Sequence, residues 1–325
     1  MSTTVAPAGT SAGPLTLENE RWSVDVLPGT GASLGAGRVR TDDGTWRDLL
    51  RPTAAAALGN PERCASFPMV PWSNRIEHGR LPFRGQEWQL QRNGADGTAI
   101  HGAVRHGAWT VAALSSDRVD LDLTTMDQVG TNFPWHFRAR LTYALVGPSL
   151  VVTTTLHNID AEPFPAGFGH HPYLSRALLP AGSHATAVGE PSLHVPATAG
   201  YALTGGIAHG AAGSVPARAD YRTARQVGPS FVDDVLTGFS SGTRARVSYP
   251  AADGHGPVRV DVAADDEYGH LVLYVPRGRS YFAVEPVTHV NGGFALHDAG
   301  LGGTGVVVLA PGERLTASFT ITVDG

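Results

Sequence analysis

Apolar and polar residues alternate with a period of two along most of this chain, and helical spacing is rare. In RWSVDVL, Trp22, Val24 and Val26 alternate with polar neighbours, and in DRVDLDLTT Val119, Leu121 and Leu123 do the same. Successive side chains of an extended strand point to opposite faces, so both segments read as half-buried strands. The clearest unit is FRARLTYALVGPSLVVTTTLHN. There Phe137, Ala139, Leu141, Tyr143 and Leu145 lead into Gly147-Pro148, and Leu150, Val152, Thr154 and Leu156 return. That pattern predicts a long β-hairpin. VRVDVAA, HLVLYVP and YFAVEPV continue it, and GVVVLAPGERLTASFTITV reads as a terminal pair of strands about a Pro311-Gly312 turn. No amphipathic helix of three turns stands out. Residues 180–230, rich in Ala, Gly, Ser and Pro, are the least regular part, yet no linker composition divides the chain. The expectation is an all-β protein. One large antiparallel β-sandwich would span 15–325, with an irregular excursion in its middle, after a disordered or trimmed tail at 1–14.

Composition narrows the function. The 325 residues with 42% hydrophobic content can fill a sizeable core, and 40 glycines with 23 prolines favour many turns between short strands. A formal charge of -5 offers no basic surface for nucleic acid or an anionic membrane. The chain contains no lysine, so its 24 basic residues are all arginine and Schiff-base or lysine-bound cofactor chemistry is excluded. Cys64 is the only cysteine, which excludes an internal disulfide and a multi-cysteine metal site and fits a reducing cytoplasm. The first twenty residues lack a signal-type charge and apolar core, and no window is long enough to span a membrane.

Five polar clusters stand out against this scaffold. FGHHPYL carries His170 and His171, the latter before Pro172, where the backbone is held extended. Adjacent residues of an extended segment face opposite ways, so one histidine at most faces a given pocket. In YFAVEPVTHV, Glu285 ends an apolar strand directly before Pro286; a carboxylate there is costly unless paired or used, and an arginine salt bridge is the structural alternative. PWSNRIEHGRLPF sets Asn74 and Arg75 between Trp72 and Phe83, donors and acceptors that suit a polyhydroxylated ligand stacked near an aromatic ring. TAIHGAVRHGAW places His101 and His106 each before a glycine, where a bend can aim an imidazole into a cleft. SFVDDVLTGF carries Asp233 and Asp234 amid apolar residues, as ligand contacts or as turn residues.

Taken in chain order, NRI with a following glycine, HG with a tryptophan after it, HPY, D-x-x-L and a strand ending in VEP resemble the aldose 1-epimerase (mutarotase) family. The resemblance covers nearly the whole chain. It implies a galactose mutarotase-like β-supersandwich with a sugar-binding cleft on an open face. By the same resemblance His171 is the general acid, Glu285 the general base and His101 a second active-site histidine. Asn74, Arg75 and Asp233 bind the sugar, with Asp234 as the alternative to Asp233. The sequence departs from the family pattern at Pro71-Trp72-Ser73, at Ala103 and at Leu174, which leaves the acid and base in place and bears on the sugar.

Interconverting the anomers of an aldose requires taking the C1 hydroxyl proton while protonating the ring oxygen, which a carboxylate and an imidazolium near neutrality can do without metal or cofactor. The expected partner is a small sugar, free or phosphorylated, since Arg75, Arg80 and Arg84 could contact phosphate. A non-catalytic carbohydrate-binding sandwich is a further alternative. So are a glycoside hydrolase built on Glu285 and Asp233, and a metal site among the 14 histidines.

Overall fold

The hairpin about Gly147-Pro148 is present. Strands Phe137–Val146 and Ser149–Asn158 pair antiparallel in one unbroken register, from Phe137 opposite Asn158 to Val146 opposite Ser149. The structure is a computed structural model that describes residues 13–183, 189–240, 242–252 and 254–325, so the tail expected at 1–14 lies almost wholly outside the described residues. In the hairpin Phe137, Ala139, Leu141 and Tyr143 are buried while Arg138 and Arg140 are exposed, as the period-two pattern demands.

Among the described residues two antiparallel sheets carry the fold, one of eleven strands and one of nine. The central strands of the first run in the order Trp46–Leu50, Tyr173–Ser175, Tyr281–Val287, His270–Val275, Val232–Thr237. The core of the second runs Arg118–Thr124, Phe137–Val146, Ser149–Asn158, Arg314–Asp324, Val258–Ala264. Leu141, Val152, Phe319 and Ile321 from the second sheet share one buried apolar cluster with Leu271, Leu273, Phe282 and Val284 from the first. The two sheets are thus the layers of a sandwich. A second apolar cluster lies on the other face of the eleven-stranded sheet. Val235, Val272, Ala283 and Val287 alternate with the core-facing residues and are covered by Phe67, Met69, Tyr201 and Val290. Burial on both faces explains why these central strands read as near-continuous apolar runs. Among the described residues the one α-helix is the six-residue Gly293–Asp298.

The terminal pair is not a hairpin. Val307–Leu309 pairs with Phe164–Ala166, whereas Arg314–Asp324 runs between Ser149–Asn158 and Val258–Ala264 in the nine-stranded sheet. The turn at Gly312 is where the chain changes sheet, held by Gly312 N–H donating to the Asn158 carbonyl and by the Asn158 side-chain amide donating to the Leu309 carbonyl. Turn residues between two alternating segments signal a reversal, not which strands become neighbours.

His170 points into the sandwich. Its Nε2 lies 2.7 Å from the Thr154 hydroxyl of the opposite sheet and its ring centroid lies 5.0 Å from that of Phe319, so it joins the layers. Burial pushes its pKa down to about 3. Burial does the same to His289, to about 4, where Nε2 accepts from the Ser73 N–H. Both are held neutral in the folded chain and protonate near pH 6.5 once unfolded. Their contribution is therefore present above that pH and lost as pH falls below it. Each costs about 2 kcal/mol at pH 5 relative to pH 8. Urea midpoints at the two pH values check this. The stability lost between pH 8 and pH 5 should be about 2 kcal/mol smaller in His170→Gln than in wild type, and an equal loss in both would contradict the assignment.

Candidate active site

Glu285 and His171 meet because the sheet register aligns them. Gly169 pairs with Val287 and Tyr173 with Ala283, and continuing that antiparallel register places His171 directly opposite Glu285. The ladder is interrupted between those two pairs. Pro172 and Pro286 have no N–H to donate, and the His171 N–H turns away to the Phe67 carbonyl at 3.0 Å. The two side chains fall on the same outer face, with His171 Nε2 3.1 Å from Glu285 Oε1. His171 lies between two rings, stacked on Phe67 at 4.9 Å between centroids and tilted against Tyr173 at 4.2 Å.

The surroundings set the charge state. Glu285 stands opposite Val272, which stands opposite Val235, so its floor is apolar. Burial first, then the nearby Asp233 carboxylate, pushes the Glu285 pKa well above the carboxylate range; Arg75 opposes this weakly. His171 is pushed down to about 3 by burial, then by the Arg51 and Arg75 cations. The near-neutral imidazole expected from the residue type is therefore not what this position provides, because desolvation disfavours the cation. Burial thus drives the two pKa values apart, and the pair holds one proton between them. Glu285 Oε2, His171 Nδ1 and His101 Nδ1 are buried without a protein hydrogen-bond partner. Orphaned polar atoms are costly and sparse in folded proteins, and three on residues this close together are candidates for bonds that a ligand would supply.

The polar wall is a short two-stranded ribbon. Arg75–Ile76 pairs with Ala99–Ile100, and the flanking residues Asn74 and His101 both adopt left-handed backbone, with φ of 52° and 64°. Non-glycine residues in that region cost about 1–3 kcal/mol and gather at functional sites. The His101 N–H donates to the Asn74 carbonyl at 2.9 Å, which fixes the two ends together. Gly102 supplies the bend: its φ is +77°, and a Cβ there would sit 2.4 Å from the Val70 carbonyl oxygen. The His101 ring lies 5.6 Å from that of His171, and its pKa is held well below the usual range by burial, then by His171 and by Arg105 and Arg75. Arg75 donates through Nε to Asp96 and through Nη1 to Asn74 Oδ1, each at 2.8 Å, and Nη1 lies 3.8 Å from Asp233.

Strand alternation separates the two aspartates. Asp233 pairs with Tyr274, Tyr274 with Ala283 and Ala283 with Tyr173, a row on the same face as Glu285. Asp234 points the other way, fully buried and held by two 2.7 Å bonds from Arg218. Burial raises the Asp233 pKa, with Arg75 pulling it back and Asp234 adding to the rise.

Some expectations do not survive. Trp72 and Phe83 are not ligand platforms: Trp72 is fully buried against Phe133 and Phe83 packs on Trp135. His106 remains exposed, and no contact joins it to these residues. Arg80 faces Glu87 at 3.9 Å and Arg84 lies over Phe83, so of the three arginines considered for phosphate, Arg75 is the one that contacts site residues. The aromatic side chains on the Glu285 face are instead Tyr173, Tyr274 and Tyr281, with Phe231, 44% exposed, beside Tyr274. The spacing of Tyr281, Ala283 and Glu285 already puts Tyr281 on the Glu285 face. Arg51 had no such signal: its guanidinium sits 3.7 Å over Tyr173 and 4.5 Å over Tyr281, placed by tertiary packing. Among the described residues no three His, Cys, Asp or Glu side chains are gathered as a metal site, and no helix is long and apolar enough to cross a membrane.

Comparison with known proteins supplies the remaining observation. A family model described as aldose 1-epimerase matches residues 14–322. The uncharacterized protein YphB of Escherichia coli (strain K12) is 27% identical over 293 residues, covering 87% of this chain and 92% of that protein. A galactose mutarotase-like protein from Clostridium acetobutylicum superposes with a TM-score of 0.80 at 17% identity, covering 96% of this chain and 95% of its own. A galactose 1-epimerase from Lactobacillus acidophilus NCFM does so with a TM-score of 0.73 at 17% identity, over 96% and 94% of the two chains. Likeness at that identity shows a shared fold.

Proposed function

The chain belongs to the aldose 1-epimerase family, and from that premise we propose that it interconverts the α and β anomers of a free aldose by acid–base ring opening and closure. The observation that carries this reading is the buried pair itself, His171 Nε2 and Glu285 Oε1 3.1 Å apart with Val272 beside Glu285. Two groups that differ only in which holds a proton are what anomer exchange requires, since it takes a proton from one oxygen of the hemiacetal and delivers one to the other.

In the proposed cycle Glu285 accepts the proton of the C1 hydroxyl. The C1–ring oxygen bond breaks with its electron pair going to the ring oxygen, and the proton on His171 Nε2 passes to that oxygen. The open-chain aldehyde turns about C1–C2, and the same steps in reverse close the ring on the other face of the carbonyl. No atom is gained or lost, and the pair ends with its single proton. The form with imidazolium and carboxylate has the same proton count as the neutral pair, so sugar binding need only move the proton within it. Hydroxyl groups donating to the carboxylate favour that charged form. Asn74, Arg75, His101 and Asp233 would hold the ring hydroxyls, and the cationic Arg75 would favour oxygen charge developing beside it.

An NMR anomer-exchange panel over free hexoses, pentoses and hexose 6-phosphates tests the reading. Accelerated exchange of one or more free aldoses is expected; acceleration confined to the 6-phosphates would support the phosphorylated substrate, and binding without acceleration the carbohydrate-binding module. Asp233→Asn should raise KM for that aldose about tenfold or more through a lost charge-assisted hydrogen bond, with the thermal midpoint kept. Arg218→Ala should do the opposite, lowering the thermal midpoint by removing both 2.7 Å bonds to the buried Asp234 carboxylate, with KM little changed. The reverse pattern would exchange the roles of the two aspartates.

A further inference from the structure

The nine-stranded sheet has a solvent-facing side that the reaction does not use. Arg138 and Arg140 are exposed on it while Phe137, Ala139 and Leu141 face the core, so it is the side of the sandwich remote from Glu285. A groove of about 590 Å³ is cut into it, lined by residues of the strands Arg118–Thr124, Phe137–Val146, Ser149–Asn158 and Arg314–Asp324. The register places Arg138 opposite His157 and His157 opposite Arg314, so an imidazole stands between two guanidinium groups on adjacent strands. The neighbouring row aligns Asp122, Arg140, Thr155 and Thr316, with the two threonine hydroxyls 3.0 Å apart.

Charge pairing sets this row apart. Other outward arginines of the nine-stranded sheet have carboxylate partners: Arg118 with Asp120, Arg140 with Asp122, Arg246 with Asp261, and Arg259 with Asp261 and Asp324. Among the described residues Arg138 and Arg314 have no carboxylate within the 4.0 Å of an ion pair. The two guanidinium groups therefore flank one imidazole from either side, with no carboxylate between them. His157 is held below the ordinary imidazole pKa by partial burial, then by Arg314 and Arg138. Two interstrand spacings separate Arg138 from Arg314, about 10 Å between backbones, a gap that two guanidinium stems close onto one small anion.

We propose that this groove is a second binding site, for a small phosphate monoester whose dianion is held between Arg138 and Arg314 over His157, with hydrogen bonds from the Thr155 and Thr316 hydroxyls. Forked guanidinium donors match the geometry of phosphate oxygens, and hydroxyls complete the shell. Asp127 and Gln128 at the groove's edge would accept hydroxyl protons of the ester's organic part. Asp122 and Asp127 also interrupt the positive surface, and the chain's formal charge is -5, both of which oppose a nucleic acid or other long polyanion in this place.

The test is calorimetric titration of the full chain with glucose 6-phosphate, inorganic phosphate and glucose. It compares wild type with the Arg138→Gln/Arg314→Gln double variant, the thermal midpoint confirming that both are folded. The expected result is saturable binding of the ester that weakens at least tenfold in the double variant and with added salt, while the anomer-exchange rate on glucose stays within about twofold of wild type. Inorganic phosphate binding as tightly as the ester would identify the free anion as the natural source; tighter binding of the ester would identify the phosphorylated sugar. The proposal is overturned if wild type shows no saturable binding of either at millimolar concentration. It is also overturned if binding persists in the double variant, or if glucose competes for it, which would place it in the cleft.

Discussion

Replacing Glu285 with Gln lowers the enzyme-catalysed anomer-exchange rate by about 10²–10⁴-fold, the range typical of a lost acid or base. The substitution is nearly isosteric, and burial on an apolar floor already favours the neutral carboxyl over the carboxylate. A neutral amide therefore suits the folded chain, and the urea midpoint near neutral pH is expected to hold or rise. The sign follows from linkage: a carboxyl whose folded pKa is raised contributes stability at low pH that is lost as pH climbs past its unfolded value of about 4.3, and the amide has no such loss. Polarimetry on freshly dissolved α-D-glucose or α-D-galactose, corrected for the uncatalysed rate, reads the effect. Near-wild-type turnover in a folded Glu285→Gln protein would remove Glu285 from the mechanism.

The second large effect belongs to His171. His171→Asn removes the donor to the ring oxygen, and the rate should again fall by about 10²–10⁴-fold. Its stacking on Phe67 and Tyr173 is lost too, so a stability cost of about 0.5–3 kcal/mol accompanies the kinetic one. The pH profile separates the two causes. Glu285 is raised well above the carboxylate range and His171 lowered to about 3, so the two values are driven apart and the wild-type pair holds one proton in the interval between them. The rate is accordingly flat there. It falls on the alkaline side as the proton leaves, and on the acid side only where a second proton arrives. A wild-type rate that instead followed a single ionisation near pH 6.5 would mean that His171 titrates as an exposed imidazole, against its burial.

Much of the sandwich was legible because its rule is local. An alternation such as Phe137, Ala139, Leu141, Tyr143 needs nothing beyond its own residues to declare a strand and its buried face. The terminal strands misled for the converse reason: Pro311-Gly312 marks a turn, but whether Val307–Leu309 pairs across it or with Phe164–Ala166 depends on segments about 140 residues away. At the site, the prolines after His171 and Glu285 were visible in sequence. Their meaning, an interrupted ladder that leaves the two side chains facing each other, was not. The aromatic partners were misassigned because Trp72 and Phe83 are close in sequence to Asn74 and Arg75. The rings near the cleft, Tyr173, Tyr274 and Phe231, are brought in from other strands.

By itself, then, the sequence determined the strand periodicity, the opposite facing of His170 and His171, the lack of any lysine or of a second cysteine, and the short motifs that carry the family resemblance. These follow from backbone geometry and residue type, which act over a few positions. Only the tertiary structure decided that Asp233 and not Asp234 shares the Glu285 face, that His170 bridges to Thr154 inside the sandwich, and that Arg51 lies over Tyr173 beside His171. It also decided the direction in which burial moves the pKa values of Glu285 and His171. Desolvation is a property of everything packed around a group, and Val272 beside Glu285 and Phe67 on His171 come from separate parts of the chain.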